Sequence, residues 1–198
     1  MRANRCLLIA TFVSILISCQ PSVKSNESSN QSRIDTLVNS KDVKLYAIFK
    51  DSINFAFEYS NGPQKGTTGD LKMPPVGLPK VLWFDTSWIY LRGGCGSPCF
   101  YAFLIPLNGI DTLRTFMFPS FVDQEKRLLI YCDENDVLTI ENFQKGTSVA
   151  FSDENLVGPY CSKNIKSYNL EGPKMVFDIK DLNGKTVKRS VDISQLLK

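Results

Sequence analysis

The sequence predicts an all-β fold, arranged as an antiparallel meander of about eleven short strands. From residue 43 onward, apolar residues come in short runs that turn residues interrupt every eight to twelve positions. Three Asn-Gly dipeptides, at positions 61, 108 and 183, lie between or at the ends of such runs. Asn-Gly favours a type I′ turn with positive φ at both central residues. No stretch keeps a helical period for twelve residues, although 192–198 could form a turn or two.

The apolar runs predict the strands in order along the chain. A first hairpin turns at Asp51-Ser52, and the stretches 88–118 and 127–151 each contain three consecutive runs, which hints at a repeated unit. The predicted strands are 43–49, 53–59, 81–84, 88–91, 100–107, 113–118, 127–131, 137–140, 148–151, 175–179 and 187–193. Segment 60–79 is rich in glycine and proline and is predicted to be a loop. The spacing of the predicted strands does not distinguish a two-sheet sandwich from a barrel or a small propeller-like arrangement.

The N-terminus is typical of an exported protein. Two arginines precede thirteen mostly apolar residues, 6–18, which are too few for a permanent membrane-spanning helix. The run ends in Leu16-Ile17-Ser18-Cys19, which resembles the lipobox of bacterial lipoproteins. The resemblance implies that residues 1–18 are removed and that Cys19 carries the lipid. Because Gln20 rather than Asp follows the cysteine, it also implies the outer membrane, on its periplasmic face or at the cell surface.

An ordinary signal peptide with a chance cysteine is the alternative. Residues 19–40 are rich in Ser and Asn and predict a flexible tether, and 41–198 predict a single all-β domain. This arrangement resembles the small envelope lipoproteins of Bacteroidota-type bacteria, a resemblance that supplies no activity.

Composition excludes several classes of function. Histidine is absent, so the Ser-His-Asp triad, the Cys-His pair and the HExxH zinc site are impossible. Arg2 and Arg5 fall in the predicted signal peptide, so 21 Lys+Arg oppose 20 Asp+Glu in the mature chain. This near-neutral balance gives no electrostatic basis for nucleic-acid binding. No phosphate loop, dinucleotide fingerprint or metal-ligand spacing is present, so we expect no cofactor and no metal.

Four cysteines remain in the predicted domain. An even number in an exported domain indicates two disulfides, with three possible pairings. We favour Cys95–Cys99, which closes a tight turn between two strands, and Cys132–Cys161, which closes a longer loop. Zinc binding, copper binding and a redox-active disulfide are the alternatives.

The functional prediction is a noncatalytic binding module for an envelope protein or glycan, held at the membrane by its lipid. Trp88, Tyr90 and Arg92 alternate onto one strand face and form a contact surface if that face is exposed. The alternative is a strand buried on both faces. A hydrolase that uses two carboxylates would need no histidine. The carboxylates available for that alternative are Asp85, Asp123, Asp133, Glu141 and Glu58.

Overall fold

The computed structural model describes residues 33–72, 77–96, 99–109, 112–117, 119–133, 135, 137–156 and 161–198, apart from the side chains of residues 161 and 162. The predicted signal peptide, Cys19 and residues 20–32 of the predicted tether lie outside this part of the chain. Residues 32–198 group into one unit by their contacts.

The described residues contain sixteen strands, each antiparallel to its neighbours. They form four sheets, and each sheet consists of strands that are consecutive along the chain. The first sheet contains β1 (Ile34–Asn39), β2 (Val43–Phe49), β3 (Asn54–Asn61), β4 (Gln64–Thr67) and β5 (Leu71–Lys72). The second contains β6 (Lys80–Phe84), β7 (Trp88–Gly96), β8 (Cys99–Pro106) and β9 (Arg114–Met117). The third contains β10 (Phe121–Asp123), β11 (Leu128–Cys132), β12 (Leu138–Asn142) and β13 (Thr147–Phe151). The fourth contains β14 (Ile165–Glu171), β15 (Lys174–Lys180) and β16 (Thr186–Asp192), and α1 (Ser194–Leu197) follows it.

Apolar layers join each sheet to the next one along the chain. One buried cluster spans the first and second sheets, another the second and third, and another the third and fourth. The layers contain the ring pairs Phe57–Phe103, Trp88–Phe143 and Phe151–Phe177, with centroids 5.7, 5.5 and 5.2 Å apart. The two inner sheets are therefore covered on both faces, so β12 is buried at every position. By contrast, β2 and β15 alternate between buried and more exposed positions, because one face of each outer sheet is open.

The predicted all-β antiparallel meander is confirmed, with more strands than predicted. Each of the eleven predicted strands overlaps an observed one, with differences at the ends. Buried clusters join successive sheets, which is consistent with an all-β sandwich. The missed strands are β1, β4, β5, β10 and β14. Since β1 pairs with β2, the predicted tether cannot extend to residue 40, and its boundary is corrected to before Ile34.

The Asn-Gly turns differ from the predicted type I′ geometry. Gly62, Gly109 and Gly184 all have positive φ, but among the described residues the only non-glycine with positive φ is Arg127. The asparagines therefore do not occupy the left-handed region. At the first of these turns Asn61 pairs with Gln64, so the two loop residues are Gly62 and Pro63. The proline ring fixes φ near −65°, which excludes type I′ there.

Tyrosine rings cover cross-strand glycines in the first two sheets. Tyr59 on β3 pairs with Gly66 on β4, and Tyr101 on β8 pairs with Gly93 on β7. A Cβ atom on either glycine would lie 2.3 Å from the tyrosine Oη. The absence of a side chain is therefore what lets each ring lie flat over the neighbouring strand.

Polar contacts connect the sheets at one end of the strands. The Asn61 side-chain amide donates a hydrogen bond to the Thr86 carbonyl at 2.6 Å, which joins the first sheet to the second. The Asn142 amide donates to the Leu196 carbonyl at 2.9 Å, which joins the third sheet to the helix that follows the fourth. Because each strand runs from one end to the other, the β2–β3, β7–β8 and β15–β16 turns lie at the opposite end.

Candidate functional site

The aromatic face predicted on β7 is mostly buried. Trp88 and Tyr90 are 7% and 4% exposed. Tyr90 stacks on Trp83 with ring centroids 5.7 Å apart, inside the layer between the second and third sheets. Only Arg92 is partly exposed, and its guanidinium lies 4.8 Å from the centroid of the Phe100 ring. Trp88 and Tyr90 therefore hold two sheets together and cannot form the exposed contact surface considered from the sequence.

Glu141 is a structural carboxylate between the second and third sheets. Its side chain is only 5% exposed and forms a two-pronged ion pair with Arg114 on β9. The Arg114 Nη2 atom donates to Oε2 at 2.7 Å, and the Tyr131 hydroxyl donates to the same oxygen at 3.0 Å. Burial raises the pKa of Tyr131 to about 12, and the Glu141 charge adds to the effect.

Asp85 has a similar role in the β6–β7 turn. Its carboxylate accepts hydrogen bonds from the Arg127 guanidinium at 2.6 Å and from the backbone N–H groups of Ser87 and Trp88 at 2.7 and 2.9 Å. Burial alone would raise the pKa of Asp85, but these hydrogen bonds outweigh it and hold the pKa below its ordinary value. Arg127, the last residue of the β10–β11 turn, thereby links the third sheet to the second.

Asp123 and Asp133 each organise their own turn. Asp123 accepts from the backbone and side chain of Lys126, at 2.9 and 3.2 Å. Asp133 accepts from the backbone N–H groups of Asn135 and Val137 at 2.8 and 2.9 Å. Four of the five candidate carboxylates are thus engaged in holding the fold, and the structure does not bring them together in a cleft.

The predicted disulfide between Cys95 and Cys99 is confirmed, with Cα atoms 5.1 Å apart. Cys132 is also disulfide-bonded. The side chain of Cys161 lies outside the described part of the chain, so the pairing of Cys132 with Cys161 stays a prediction. The 3₁₀ helix Cys161–Asn164 contacts β11, the strand that ends at Cys132. Among the described residues, no group of three or more Cys, Asp or Glu side chains could hold a metal ion.

The fifth carboxylate, Glu58, lies in an open groove on the outer face of the first sheet. The groove has a volume of about 520 Å³ and crosses β2, β3 and β4. Its side chains form two cross-strand rows, Tyr46–Glu58–Thr67 and Lys44–Ser60–Lys65. Tyr59 and Gly66 also line it. We call this site the sheet-1 groove.

The sheet-1 groove presents charged groups that form no ion pair with the other described residues. Within the described part of the chain, no salt bridge involves Lys44, Glu58 or Lys65. The two ammonium groups can bind anionic groups of a ligand, and the Tyr46 ring offers an apolar face. Hydrolysis of a glycosidic bond needs two carboxylates about 5–10 Å apart. Only one carboxylate lines this groove, so its geometry suits binding better than hydrolysis.

A second groove, of about 570 Å³, lies between β1 and β6. Its walls are mostly apolar and include Leu37, Val81, Leu82 and Phe84. Both strands are sheet edges, so each has backbone groups without a neighbouring strand on that side. This groove offers few side chains for hydrogen bonding and is the less specific of the two sites.

The sheet-1 groove was missed from the sequence because β4 lies inside the segment predicted to be a loop. One signal could have indicated it. In β2 the apolar residues at 43, 45, 47 and 49 alternate with Lys44, Tyr46 and Ile48, the pattern of a strand with one open face.

Among the residues that the structure describes, no helix is long and apolar enough to cross a membrane. Comparison with protein-family models, curated proteins and solved structures finds no match to this chain.

Proposed function

We propose that the protein is a lipid-anchored lipoprotein of the bacterial cell envelope that binds an acidic envelope glycan in the sheet-1 groove without catalysis. Cys19 carries the anchor, and the outer membrane is the proposed location. The observation that supports binding is the contrast among carboxylates. Asp85, Asp123 and Glu141 form ion pairs within the fold, whereas Glu58 faces an open groove beside two lysines that form no ion pair among the described residues.

The side chains of the groove favour a glycan that carries carboxylate or phosphate groups. Lys44 and Lys65 lie on either side of Ser60, so two cations flank one hydroxyl in the same cross-strand row. Tyr46 is half-buried and can stack on the apolar face of a sugar ring, while Glu58 can accept hydrogen bonds from sugar hydroxyls. The carboxylate-based hydrolase is the weaker alternative, because Glu58 has no second carboxylate across the groove.

The binding proposal is tested with the mature chain, residues 19–198, carrying Cys19→Ser so that it can be purified without lipid. Calorimetric titration uses soluble peptidoglycan fragments and lipopolysaccharide core oligosaccharide as acidic probes, and maltoheptaose as a neutral probe. We expect at least one acidic probe to bind and Lys44→Gln to weaken it about tenfold, since a hydrogen bond to a charged group contributes about 1.5 kcal/mol or more.

Lys188→Gln is the matched control, because Lys188 is also an exposed lysine within a strand but lies on the fourth sheet. The binding proposal is wrong if neither acidic probe binds. It is also wrong if Lys188→Gln weakens binding as much as Lys44→Gln does.

The anchor is tested separately in cells. Cys19→Ala should move the protein from the membrane fraction to the soluble envelope fraction, because the acyl chains supply most of the membrane affinity. A variant that still sediments with membranes would show that Cys19 does not carry the anchor.

A further inference from the structure

We propose that the end of the domain that carries Arg33 and the β2–β3 turn lies against the membrane surface, with exposed apolar side chains in contact with the lipids. We call this the tether end. The inference rests on the proposed lipid anchor at Cys19 and specifies which surface of the folded domain the anchored membrane meets.

Exposed apolar side chains surround the tether end. Ile34 begins β1 and Ile53 lies in the β2–β3 turn, and they are 58% and 56% exposed. Leu182 in the β15–β16 turn is 80% exposed, and Phe100 and Met117 flank the same end of the second sheet. These side chains leave much of their apolar surface in water, so contact with the apolar part of a lipid bilayer would stabilise them.

Cationic side chains accompany these apolar residues. Arg33 precedes Ile34, and Lys50 lies in the same turn as Ile53. Both cations form exposed pairs with carboxylates, Arg33 with Asp35 and Lys50 with Asp70. Such exposed pairs exchange readily with other anions, so the basic groups can contact lipid phosphates while the isoleucines enter the interface.

The length of the chain before the domain brings this end within reach of the lipids. Thirteen residues, 20–32, lie between Cys19 and Arg33. The flexible tether that the sequence predicts for this stretch would have an average end-to-end distance of roughly 20 Å. A lipid at Cys19 therefore keeps the tether end close to the headgroups, whereas the opposite end, where Asn61 bonds to Thr86, is a strand length farther away.

The orientation is tested with tryptophan as a depth probe. Ile53→Trp places an indole at the tether end, and Leu82→Trp is the matched control because Leu82 has the same 56% exposure but lies on β6, away from that end. The mature chain with Cys19→Ser carries an N-terminal hexahistidine, which is unambiguous because the chain has no histidine. It is bound to vesicles of phosphatidylcholine and phosphatidylglycerol that contain a nickel-chelating lipid and bromine atoms on the acyl chains.

We expect the bromines to quench the added indole of Ile53→Trp and to leave that of Leu82→Trp unquenched. Trp83 and Trp88 are common to both variants, so total emission of the Ile53→Trp protein should fall by roughly a third if one of three indoles inserts. Equal quenching of the two variants, or no quenching of Ile53→Trp on bound protein, would overturn the proposed orientation.

This result is independent of the other two proposals. The hexahistidine replaces the lipid, so retention of Cys19→Ala in cell membranes would refute the anchor without changing the quenching measurement. Glycan binding in the sheet-1 groove is measured in solution, with no membrane present.

Discussion

Gly93→Ala should destabilise the fold because the new methyl group would occupy the space of the Tyr101 ring. The added Cβ would lie 2.3 Å from the tyrosine Oη and 2.4 Å from Cζ, whereas ordinary contacts begin at about 3.4 Å. The ring must move by about 1 Å, but it is buried against Phe103 and its hydroxyl donates to the Gly77 carbonyl at 3.2 Å. Overpacking of this kind costs about 1–3 kcal/mol.

The same substitution also restricts the unfolded chain, which offsets about 0.4–1 kcal/mol of that cost. The net expectation is a loss of about 1–2 kcal/mol in the free energy of unfolding, measured by urea denaturation with the mature Cys19→Ser chain. The midpoint of thermal unfolding should fall by about 2–8 °C for a domain of this size.

The same substitution in a Tyr101→Leu variant tests whether the tyrosine ring causes the destabilisation. Tyr101→Leu removes the hydroxyl oxygen and the two ring carbons that the new Cβ would approach but keeps an apolar side chain in the layer. In that background Gly93→Ala should become neutral or stabilise by up to about 1 kcal/mol, because only its effect on the unfolded chain remains. Equal destabilisation in both backgrounds would show that the ring contact is not the cause.

The polar links between sheets give three further predictions. Glu141→Ala should cost about 3–5 kcal/mol in urea denaturation, since it leaves the Arg114 charge without its partner between two sheets; a loss below 1 kcal/mol would contradict this. Tyr131 should ionise near pH 12 in an absorbance titration. The stabilisation that its neutral hydroxyl gives the fold should be complete below pH 10 and should be lost as the pH rises towards 12. Tyr131→Phe should reduce that late step without abolishing it, because burial also raises the pKa of Tyr90 and of Tyr101 to about 12. Because the pKa of Asp85 is lower in the folded chain than in the unfolded chain, where it is about 3.9, its ionised carboxylate stabilises the fold above that pH. This stabilisation is lost as the pH falls through the pKa of the folded state. Asp85→Asn should therefore flatten the loss of stability in acid, and an unchanged acid slope would refute the role given to Arg127.

The five strands that the sequence analysis missed are all edge strands. β1, β4, β10 and β14 end the order of strands in their sheets, and β5 pairs only with the outer side of β3. Edge strands form because a neighbour offers backbone partners, and their side chains are less buried than those of central strands. β14 shows this directly, since no position along it is buried. The edge strands β6, β13 and β16 have no buried position either, yet their apolar residues allowed their prediction, so weak burial alone does not explain the missed strands.

The candidate sites also depended on which strand faces other parts of the chain cover. Trp88 and Tyr90 were correctly placed on one face of a strand, because side chains alternate along any strand. Whether that face met solvent depended on the third sheet, which comes later in the chain and covers it. The sheet-1 groove needed β4 as its third strand, and the Gln-Lys-Gly-Thr sequence of β4 carries no apolar pattern.

The amino-acid sequence by itself determined the fold class, the central strands and the Cys95–Cys99 turn, because these follow from local alternation, turn chemistry and short separation along the chain. Only the tertiary structure decided the stacking of four sheets, the burial of Trp88 and the engagement of Asp85 and Glu141 between sheets. Those outcomes depend on contacts between residues distant in sequence. Two strand faces meet only after both sheets have formed, and until then a tryptophan or a carboxylate has the same local pattern whether it will be covered or left in water.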